Sequence, residues 1–404
     1  MLLKEEIFYP EHARRMVSML SSFEVENYRA FKNRQIITIR PLTLFFGWNG
    51  SGKSALVRFL PLLAESLRFG GEQPILLEGE VGDKANWPEL VCKASQNMNL
   101  QFALHWIGDA MQAKWKIGRD FRKERSLDAK RGTETQSCAT DKGEQWRGLL
   151  PVNHPVRDWL APKLEELVKE VQWIWGVRAS PPRYLSLSYG AEPMQLNADG
   201  GNALNYLISA ASRGTQDPLL ELVRQFYHGM DATLALEQLA DSLWRAILYP
   251  LQATPEININ LCDSGAGFTQ VLPVLVALAR AQLDGPRLLC LEQPELHLHT
   301  HAQVKLSRLL VETAKAQTRP MLLVETHSEV LLASVQLAIA LKEIPPDMVA
   351  VYRIQQSKEG ISEVKSVEFD EQGFPLTPTL EGVFDEASNI NQQFTQLQLS
   401  GWKS

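Results

Sequence analysis

A glycine-rich segment near the N-terminus, between a short apolar run and an amphipathic run, constrains the fold most strongly. Residues Gly47 to Ser54 read GWNGSGKS, which matches the pattern G-x-x-x-x-G-K-S/T. The run Pro41 to Phe46 before it is typical of a buried strand, and residues 53–69 place apolar side chains on one face of a helix. A strand, a glycine turn and a helix in this order form a phosphate-binding loop. The segment therefore predicts an α/β nucleotide-binding core.

The residue types of this loop indicate its chemistry. Glycines let backbone N–H groups point at a phosphate, and the start of the following helix favours an anion. Lys53 is expected to contact the β and γ phosphates, and Ser54 to give its hydroxyl to Mg²⁺, which takes few protein ligands. A chance glycine turn is the alternative, and the complete match in this setting disfavours it. The residues expected around the phosphates are Gly47, Asn49, Gly50, Ser51, Gly52, Lys53, Ser54 and Ala55.

A second strand-like run ends in a carboxylate. Leu288 to Leu291 is apolar and is followed by Glu292, where a P-loop fold carries an acid for its metal ion. Glu292 is therefore the predicted Mg²⁺ residue. Gln293 comes next, where P-loop ATPases of this appearance usually carry a second acid, and an amide cannot accept a proton from the attacking water. Gln293 is expected to orient the water, with either Glu295 as the base or slow hydrolysis.

A second glycine turn precedes an apolar helix further along the chain. Residues 263–273, DSGAGFTQVLP, offer another helix start at which an anion can bind. One nucleotide does not need two such sites from one chain, so we predict a dimer in which the turn of one subunit caps the γ-phosphate held by the other. An ordinary turn before a helix is the alternative. The residues expected at this contact are Asp263, Ser264, Gly265 and Gly267.

Histidines follow two of the predicted strands. His327 comes after the run Leu322 to Glu325, at the edge where parallel sheets collect ligands. It is expected to contact the γ-phosphate or the attacking water, unless it is a structural histidine. His297, His299 and His301 are a candidate metal site. A structural or helix-capping role is preferred for this triplet because no cysteine lies near it at ligand spacing.

Taken together and in this order, these motifs resemble those of bacterial ABC-class ATPases. The relatives are the RecF, SMC and Rad50 group and the ATPase part of the overcoming-lysogenisation-defect (OLD) nucleases. The resemblance covers residues 22–70 and 255–335 and rests on Glu24 to Phe31, Gly47 to Ser54, Asp263 to Pro273, Glu292 to His299 and Glu325 to Ser328.

The resemblance implies a role for each motif. Gly47 to Ser54 would be the Walker A loop, Asp263 to Gln270 the signature region, Glu292 the Walker B acid and His327 the switch histidine. Gln293 departs from the pattern, since the usual residue there is the catalytic glutamate, and this departure implies slow hydrolysis. The implied cofactors are ATP and Mg²⁺.

The implied fold is α/β, a P-loop NTPase of the ABC-ATPase head type with a mixed β-sheet core, flanking helices and an inserted, mainly helical lobe. A long coiled coil is not expected, because the residues between the loop and the second glycine turn lack sustained heptads. Residues 99–119 alternate like a hairpin, and residues 155–177 and 217–248 have helical spacing. The predicted divisions are an N-terminal extension (1–21), a core part with Walker A (22–98), the inserted hairpin and helical lobe (99–254), a core part with the signature, Walker B and switch histidine (255–340), and C-terminal strands and a tail (341–404).

Composition leaves the partners open. The net charge of −6, from 41 basic and 47 acidic residues, argues against a surface that is basic overall. Residues Lys114 to Arg131 are nevertheless locally basic and are a candidate contact for DNA phosphates, with a solvated loop as the alternative. Trp115, Trp173 and Trp175 are expected in the core. No apolar run reaches the roughly 18 residues of a membrane span and no signal peptide is evident, so we expect a cytoplasmic protein without membrane contact.

The leading hypothesis is a Mg²⁺-dependent ATPase that sandwiches ATP between two subunits and passes the nucleotide state to a separately encoded effector. A homodimer or higher homo-oligomer is expected, and the resemblance to stand-alone heads of anti-phage systems implies a role in defence. No D-x-D pair follows His327, so any nuclease is expected on another chain. The alternatives are an ATP-gated assembly scaffold that barely hydrolyses ATP and a RecF-like DNA repair ATPase that binds DNA.

Overall fold

The computed structural model describes residues 20–108, 110–187, 195–214, 216–252, 254 and 257–377. Within these ranges the chain divides into two units. The first contains residues 20–39, 59–169 and 356–364, and the second contains residues 40–58, 170–355 and 365–377, with the gaps just given. The predicted extension (1–21) lies almost wholly outside the described residues, and the other predicted domain boundaries stay a prediction.

The strands and helices follow one another irregularly along the chain. The strands are β1 (Leu20–Glu26), β2 (Gln35–Thr38), β3 (Leu42–Gly47), β4 (Leu100–Trp106), β5 (Met111–Ile117), β6 (Arg125–Arg131), β7 (Glu134–Ala139), β8 (Trp146–Arg147), β9 (Leu150–Pro151), β10 (Val171–Ile174), β11 (Leu185–Ser186), β12 (Ala232–Ala240), β13 (Leu243–Pro250), β14 (Ile259–Asn260), β15 (Leu288–Glu292), β16 (Met321–Glu325), β17 (Val349–Gln356) and β18 (Ser362–Val367). The helices are α1 (Lys53–Phe69), α2 (Trp87–Leu90), α3 (Val156–Glu170), α4 (Ala203–Arg213), α5 (Pro218–Gly229), α6 (Ala266–Gln282), α7 (Thr300–Ala314) and α8 (Glu329–Ala340). Among the described residues, no helix has both the length and the apolar character needed to cross a membrane.

The central sheet of the second unit has the strand order β10-β15-β16-β3-β17, with β18 next to β17. All pairings from β10 to β17 are parallel. Strands that are buried on both faces read as continuous apolar runs, which is why the predicted strands at 42–46, 288–291 and 321–325 are confirmed. Because parallel strands end at the same edge of a sheet, Gly47, Glu292 and Glu325 all lie at one edge.

Helix α6 is packed into the core of the second unit. Most of its residues are buried, including the run from Val271 to Ala279. A helix that is apolar on all sides must be buried to this extent. The predicted helix from Thr269 is confirmed, although it begins three residues earlier, at Ala266. The second glycine turn therefore leads directly into a buried helix.

The first unit contains an antiparallel sheet with the order β2-β1-β4-β5-β6-β7. Aromatic rings pack on its buried face: the Phe102 and Trp115 centroids are 5.0 Å apart, and those of Phe23 and Phe59 are 5.4 Å apart. The predicted hairpin at 99–119 is confirmed as β4 and β5. Trp115 is fully buried, which confirms its place in the core.

The basic segment 114–131 is strand at both ends, so the solvated-loop alternative holds only for residues 118–124. β5 and β6 pair along most of its length. Arg125, Leu127 and Ala129 are buried and alternate with more accessible residues, a strand pattern that the many charges conceal. The Arg125 guanidinium donates a hydrogen bond to the Gly148 carbonyl oxygen (2.6 Å), and burial lowers the pKa of Arg125 to about 10. Arg125 is therefore structural rather than a contact for DNA.

The two helical predictions for the inserted lobe each hold for their first part only. α3 ends at Glu170, and residues 171–174 form β10. α5 ends at Gly229, and the residues from 232 to 250 form the β12–β13 hairpin instead of a helix. Ala232, Leu234 and Leu236 alternate as in a strand, whereas Leu236, Leu239 and Leu243 have helical spacing. The pairing of β12 with β13 decides between the two periods.

Candidate functional site

The glycine-rich loop connects β3 to α1 at the sheet edge. Gly50 and Gly52 have φ angles of 78° and 100°, in the region that favours glycine. At Gly47, a Cβ atom would lie 2.4 Å from a backbone oxygen of β17. Asn49 is exposed, and Ala55 lies half-buried in the first turn of α1. The glycines that the motif requires are thus the residues that this loop shape requires.

Lys53 points into the loop that precedes it. Its Nζ donates hydrogen bonds to the backbone oxygens of Gly47 (2.8 Å) and Trp48 (2.9 Å), and the residue is 3% exposed. Burial lowers the pKa of Lys53, and the carboxylate of Glu325 opposes this shift. Ser51 is also buried, and its hydroxyl oxygen has no hydrogen-bond partner among the described residues. A buried cation and a buried unpaired hydroxyl suit a bound phosphate group.

Glu325, at the end of β16, is absent from the site residues predicted from the sequence. Its Oε1 accepts a hydrogen bond from Ser54 Oγ (3.0 Å), and its Oε2 is buried without a partner among the described residues. Burial raises the pKa of Glu325, and the hydrogen bond from Ser54 opposes this shift. An apolar run that ends in an acid, the pattern that singles out Glu292, is the signal that identifies Glu325 as well.

Both carboxylate oxygens of Glu292 are engaged by other side chains. Arg58 donates to them from Nε (2.6 Å) and Nη2 (2.7 Å), and Trp173 Nε1 donates to Oε1 (2.8 Å). The Arg58 guanidinium lies over the rings of Trp173 and Trp175, 5.4 Å and 5.7 Å from their centroids. Trp173 is buried and Trp175 is half-buried, so the core prediction is confirmed for Trp173. The Mg²⁺ role predicted for Glu292 stays a prediction, because this carboxylate already has cationic and N–H partners.

Arg178 holds the chain that follows β15. Its Nη2 donates to the backbone oxygens of Glu292 (2.6 Å) and Gln293 (2.8 Å), and its Nη1 donates to that of Gln270 in α6 (3.2 Å). Arg178 is 5% exposed, and burial lowers its pKa to about 10. Gln293 has a φ of 42°, and its N–H donates to the Glu325 backbone oxygen (2.8 Å). The half-buried Gln293 side chain is therefore presented at the sheet edge by a fixed backbone.

Glu295 positions the turn that carries His327. Its Oε1 accepts hydrogen bonds from Thr326 Oγ1 (2.7 Å) and from the His327 N–H (2.9 Å), and the residue is 7% exposed. Burial raises the pKa of Glu295, while its Oε2 has no partner among the described residues. His327 itself is exposed. This geometry gives Glu295 a positioning contact, and its predicted role as a base stays a prediction.

The second glycine turn presents the start of α6 to solvent. Gly265 is the N-cap residue of α6, and both Gly265 and Asp263 are exposed. The Ser264 hydroxyl donates to the Leu261 carbonyl oxygen (2.7 Å), so its hydrogen bond stabilises the turn itself. The free backbone N–H groups of a helix start attract anions. The turn can therefore receive an anionic group from another molecule.

Arg183 lies beside this turn and is a further residue that the sequence motifs do not identify. Its Nη1 donates to Asp263 Oδ2 (2.7 Å), which lowers the pKa of Asp263. At Gly267, a Cβ atom would lie 2.8 Å from the His297 carbonyl oxygen, so glycine lets the turn pack against the segment after β15. The turn thus combines a helix start with an ion pair between Arg183 and Asp263.

The histidine triplet His297, His299 and His301 does not form a metal site in the described residues. His299 is the N-cap residue of α7, and its side chain makes no capping hydrogen bond. Nowhere in the described ranges do three His, Cys, Asp or Glu side chains converge as metal ligands.

On β5 and β6, Lys116 and Lys130 are exposed and Lys114 is half-buried. The DNA contact at this strip stays a prediction.

A family model described as "AAA domain, putative AbiEii toxin, Type IV TA system" matches residues 42–333, which include the loop, the glycine turn and the ends of β15 and β16. The chain belongs to this family. It is an ABC-class AAA ATPase, and such proteins use a nucleotide and typically Mg²⁺. The buried Lys53, the unpaired Ser51 hydroxyl and the Ser54 hydroxyl beside a carboxylate fit both groups.

Solved structures of SMC heads share the fold. One, an SMC head bound to the C-winged helix domain of ScpA, is 11% identical with a TM-score of 0.54 and covers 87% of this chain and 98% of its own. Another, an SMC head with an extended coiled coil bound to the C-terminal domain of ScpA derived from Pyrococcus furiosus, is 12% identical with a TM-score of 0.51 and covers 93% and 99%. No curated protein sequence matches the chain. The predicted P-loop NTPase fold of the ABC-head type is confirmed, and in the described residues α1 and α6 reach only 17 residues, far short of a long coiled-coil arm.

Proposed function

We propose that the protein is a Mg²⁺-dependent ATPase that binds ATP between two copies of itself and passes the nucleotide state to a separate effector protein. The buried Lys53 ammonium inside the glycine loop is the observation that carries this proposal. An ammonium buried against two carbonyl oxygens can exchange them for phosphate oxygens, which bear a full negative charge. ATP is the ligand whose phosphates this loop and its Mg²⁺ would hold together.

The proposal assigns functions to residues in and around the glycine loop. The backbone N–H groups of the glycine loop would bind the phosphates, with the Ser51 hydroxyl as a further donor. Ser54 would hold Mg²⁺, which neutralises charge on the phosphates when bound. Gln293 would orient the attacking water, and His327 would contact the γ-phosphate.

The second glycine turn supports the assembly of two copies. Its exposed helix start favours an anion. The adjacent Arg183 is paired with Asp263, and it would exchange this carboxylate for a phosphate in the dimer. In the proposed dimer, the turn of one protomer would face the γ-phosphate that the loop of the other protomer holds. Each ATP would then be enclosed by residues of two chains, and its hydrolysis would loosen the pair.

Gly265→Glu tests this dimer. Open space surrounds a Cβ at Gly265, and its φ of −59° suits any residue, so the variant should fold and bind ATP as a monomer. A carboxylate facing the γ-phosphate should weaken ATP-dependent dimerisation by about 10-fold or more, since like charges across an interface repel. Sedimentation with a non-hydrolysable ATP analogue and Mg²⁺ measures this change. Gly265→Ala is the matched control, and equal dimerisation of wild type and Gly265→Glu would contradict the sandwich.

A second candidate function is an ATP-gated assembly scaffold with little hydrolysis. Gln293 favours it, because an amide lies where a carboxylate would accept the proton of the attacking water. Gln293→Glu should then raise turnover by about 100-fold, since general base catalysis contributes about 10²–10⁴. Phosphate release measures the rate. An unchanged rate would instead favour an ATPase that uses another base, such as Glu295.

The effector and the biological setting rest on the comparisons. The SMC heads with this fold were crystallised with domains of ScpA, a separate protein, and the family description names a toxin of a toxin–antitoxin system. We therefore propose a separately encoded effector, in bacterial defence against phage. Isolation of the protein with its bound partners, with and without ATP, tests this part: ATP-dependent recovery of the same partner supports it.

A further inference from the structure

A buried carboxylate oxygen without a partner lies next to the Ser54 hydroxyl. Glu325 is 3% exposed, and its Oε1 is 3.0 Å from Ser54 Oγ. Its Oε2 has no hydrogen-bond partner in the part of the chain that the structure describes. A carboxylate out of contact with water is costly unless each oxygen has a donor or a cation. This oxygen can therefore accept a donor or a cation without losing a protein partner among the described residues.

Glu292, the other acidic residue at this sheet edge, differs from Glu325 because both of its carboxylate oxygens have hydrogen-bond donors. Glu292 and Glu325 are directly opposite each other on the neighbouring parallel strands β15 and β16. Both oxygens of Glu292 accept hydrogen bonds, from Arg58 and Trp173. A cation that bound Glu292 would have to displace the Arg58 guanidinium and leave it without this carboxylate, which is strongly unfavourable for a largely buried pair. A cation at Glu325 would displace no such partner.

We infer that Glu325, rather than Glu292, is the acidic side chain that binds Mg²⁺ together with Ser54 when nucleotide is present. A hydroxyl and one carboxylate are the small set of hard oxygen ligands that Mg²⁺ takes from a protein beside substrate phosphates and water. Glu292 then stabilises the fold through its ion pair with Arg58. This inference rests on the proposed function, because Mg²⁺ enters the site with ATP.

The experiment compares Glu325→Gln with Glu292→Gln. The dissociation constant of a fluorescent, non-hydrolysable ATP analogue is measured in Mg²⁺ and in EDTA for each protein. For Glu325→Gln, the gain in affinity that Mg²⁺ gives the wild type should fall by about 10-fold or more, the order expected when a charge-assisted ligand is lost, while affinity in EDTA is retained. Glu292→Gln should keep the gain. Loss of the gain in Glu292→Gln but not in Glu325→Gln would overturn the inference.

Ser54→Ala and the double variant Ser54→Ala/Glu325→Gln decide whether the two side chains act on one ion. If they share it, the double variant should lose little more of the Mg²⁺ gain than either single variant, because ligands of one site are not additive. Retained affinity in EDTA shows that each variant is folded. Fully additive losses would overturn the shared site. If the wild type binds the analogue neither in Mg²⁺ nor in EDTA, the proposed function itself is wrong, a result distinct from a changed Mg²⁺ gain.

Discussion

Lys53→Ala should bind ATP about 100-fold more weakly than the wild type and should lose measurable hydrolysis. The Lys53 ammonium lies inside the glycine loop, hydrogen-bonded to two of its carbonyl oxygens, where it would meet the β and γ phosphates. A hydrogen bond to a charged group contributes about 1.5–3 kcal/mol, or about 10- to 100-fold in affinity. Calorimetric titration with ATP and a phosphate-release assay measure the two quantities.

The control for this variant is a lysine outside the loop. Lys116 lies exposed on β5, and Lys116→Ala removes the same charge without touching the loop. It should leave ATP affinity and hydrolysis unchanged. If Lys53→Ala binds and hydrolyses ATP like Lys116→Ala, the nucleotide site is not at residues 47–54.

Arg58→Met should lower the free energy of unfolding by about 3–5 kcal/mol, the range found when one partner of a buried ion pair is removed. Arg58 donates two hydrogen bonds to Glu292, whose side chain is only 5% exposed, so the variant leaves a buried carboxylate with Trp173 as its remaining donor. Methionine retains most of the apolar stem but removes the guanidinium that lies over the rings of Trp173 and Trp175. Urea denaturation followed by tryptophan fluorescence measures the loss.

Arg183→Met provides the comparison on the surface. Arg183 and Asp263 also form a paired contact, but their side chains are 51% and 46% exposed. Exposed ion pairs contribute about 0–1 kcal/mol, so this variant should unfold at nearly the wild-type urea concentration. Equal losses in Arg58→Met and Arg183→Met would mean that the Glu292 carboxylate finds water or another donor when Arg58 is removed.

Local pattern was sufficient to predict the loop and the strands that surround it. The segment 47–54 and the runs ending at Glu292 and Glu325 are continuous in sequence, and buried parallel strands have a simple apolar signature. The hairpin at 232–250 was predicted as helix because its apolar spacing satisfies both periods. Only the pairing of β12 with β13 resolves that ambiguity, and pairing is a tertiary property.

The hydrogen-bond partners of the charged residues could not be predicted either, because they are also tertiary contacts. Ser54 and Glu325 are separated by 271 positions, and Arg58 and Glu292 by 234, so no local pattern relates them. Arg125 lies in a charged segment that suggests a surface position, and no sequence motif includes Arg178, yet each is buried and hydrogen-bonded to backbone oxygens. These long-range contacts determine that Glu292 is fully hydrogen-bonded and that Glu325 has an oxygen without a partner in the described part of the chain.

The three carbonyl oxygens bound by Arg178 belong to two different parts of the site. Two belong to Glu292 and Gln293 at the end of β15, and the third belongs to Gln270, one turn inside the helix that starts at the exposed glycine turn. In the proposed dimer, the Arg178 guanidinium would therefore connect the nucleotide pocket of one copy to the surface that contacts the second copy. In the proposed dimer, a shift of residues 292–293 after hydrolysis would either move α6 as well or break these hydrogen bonds, so hydrolysis in one pocket would alter the surface that contacts the other copy.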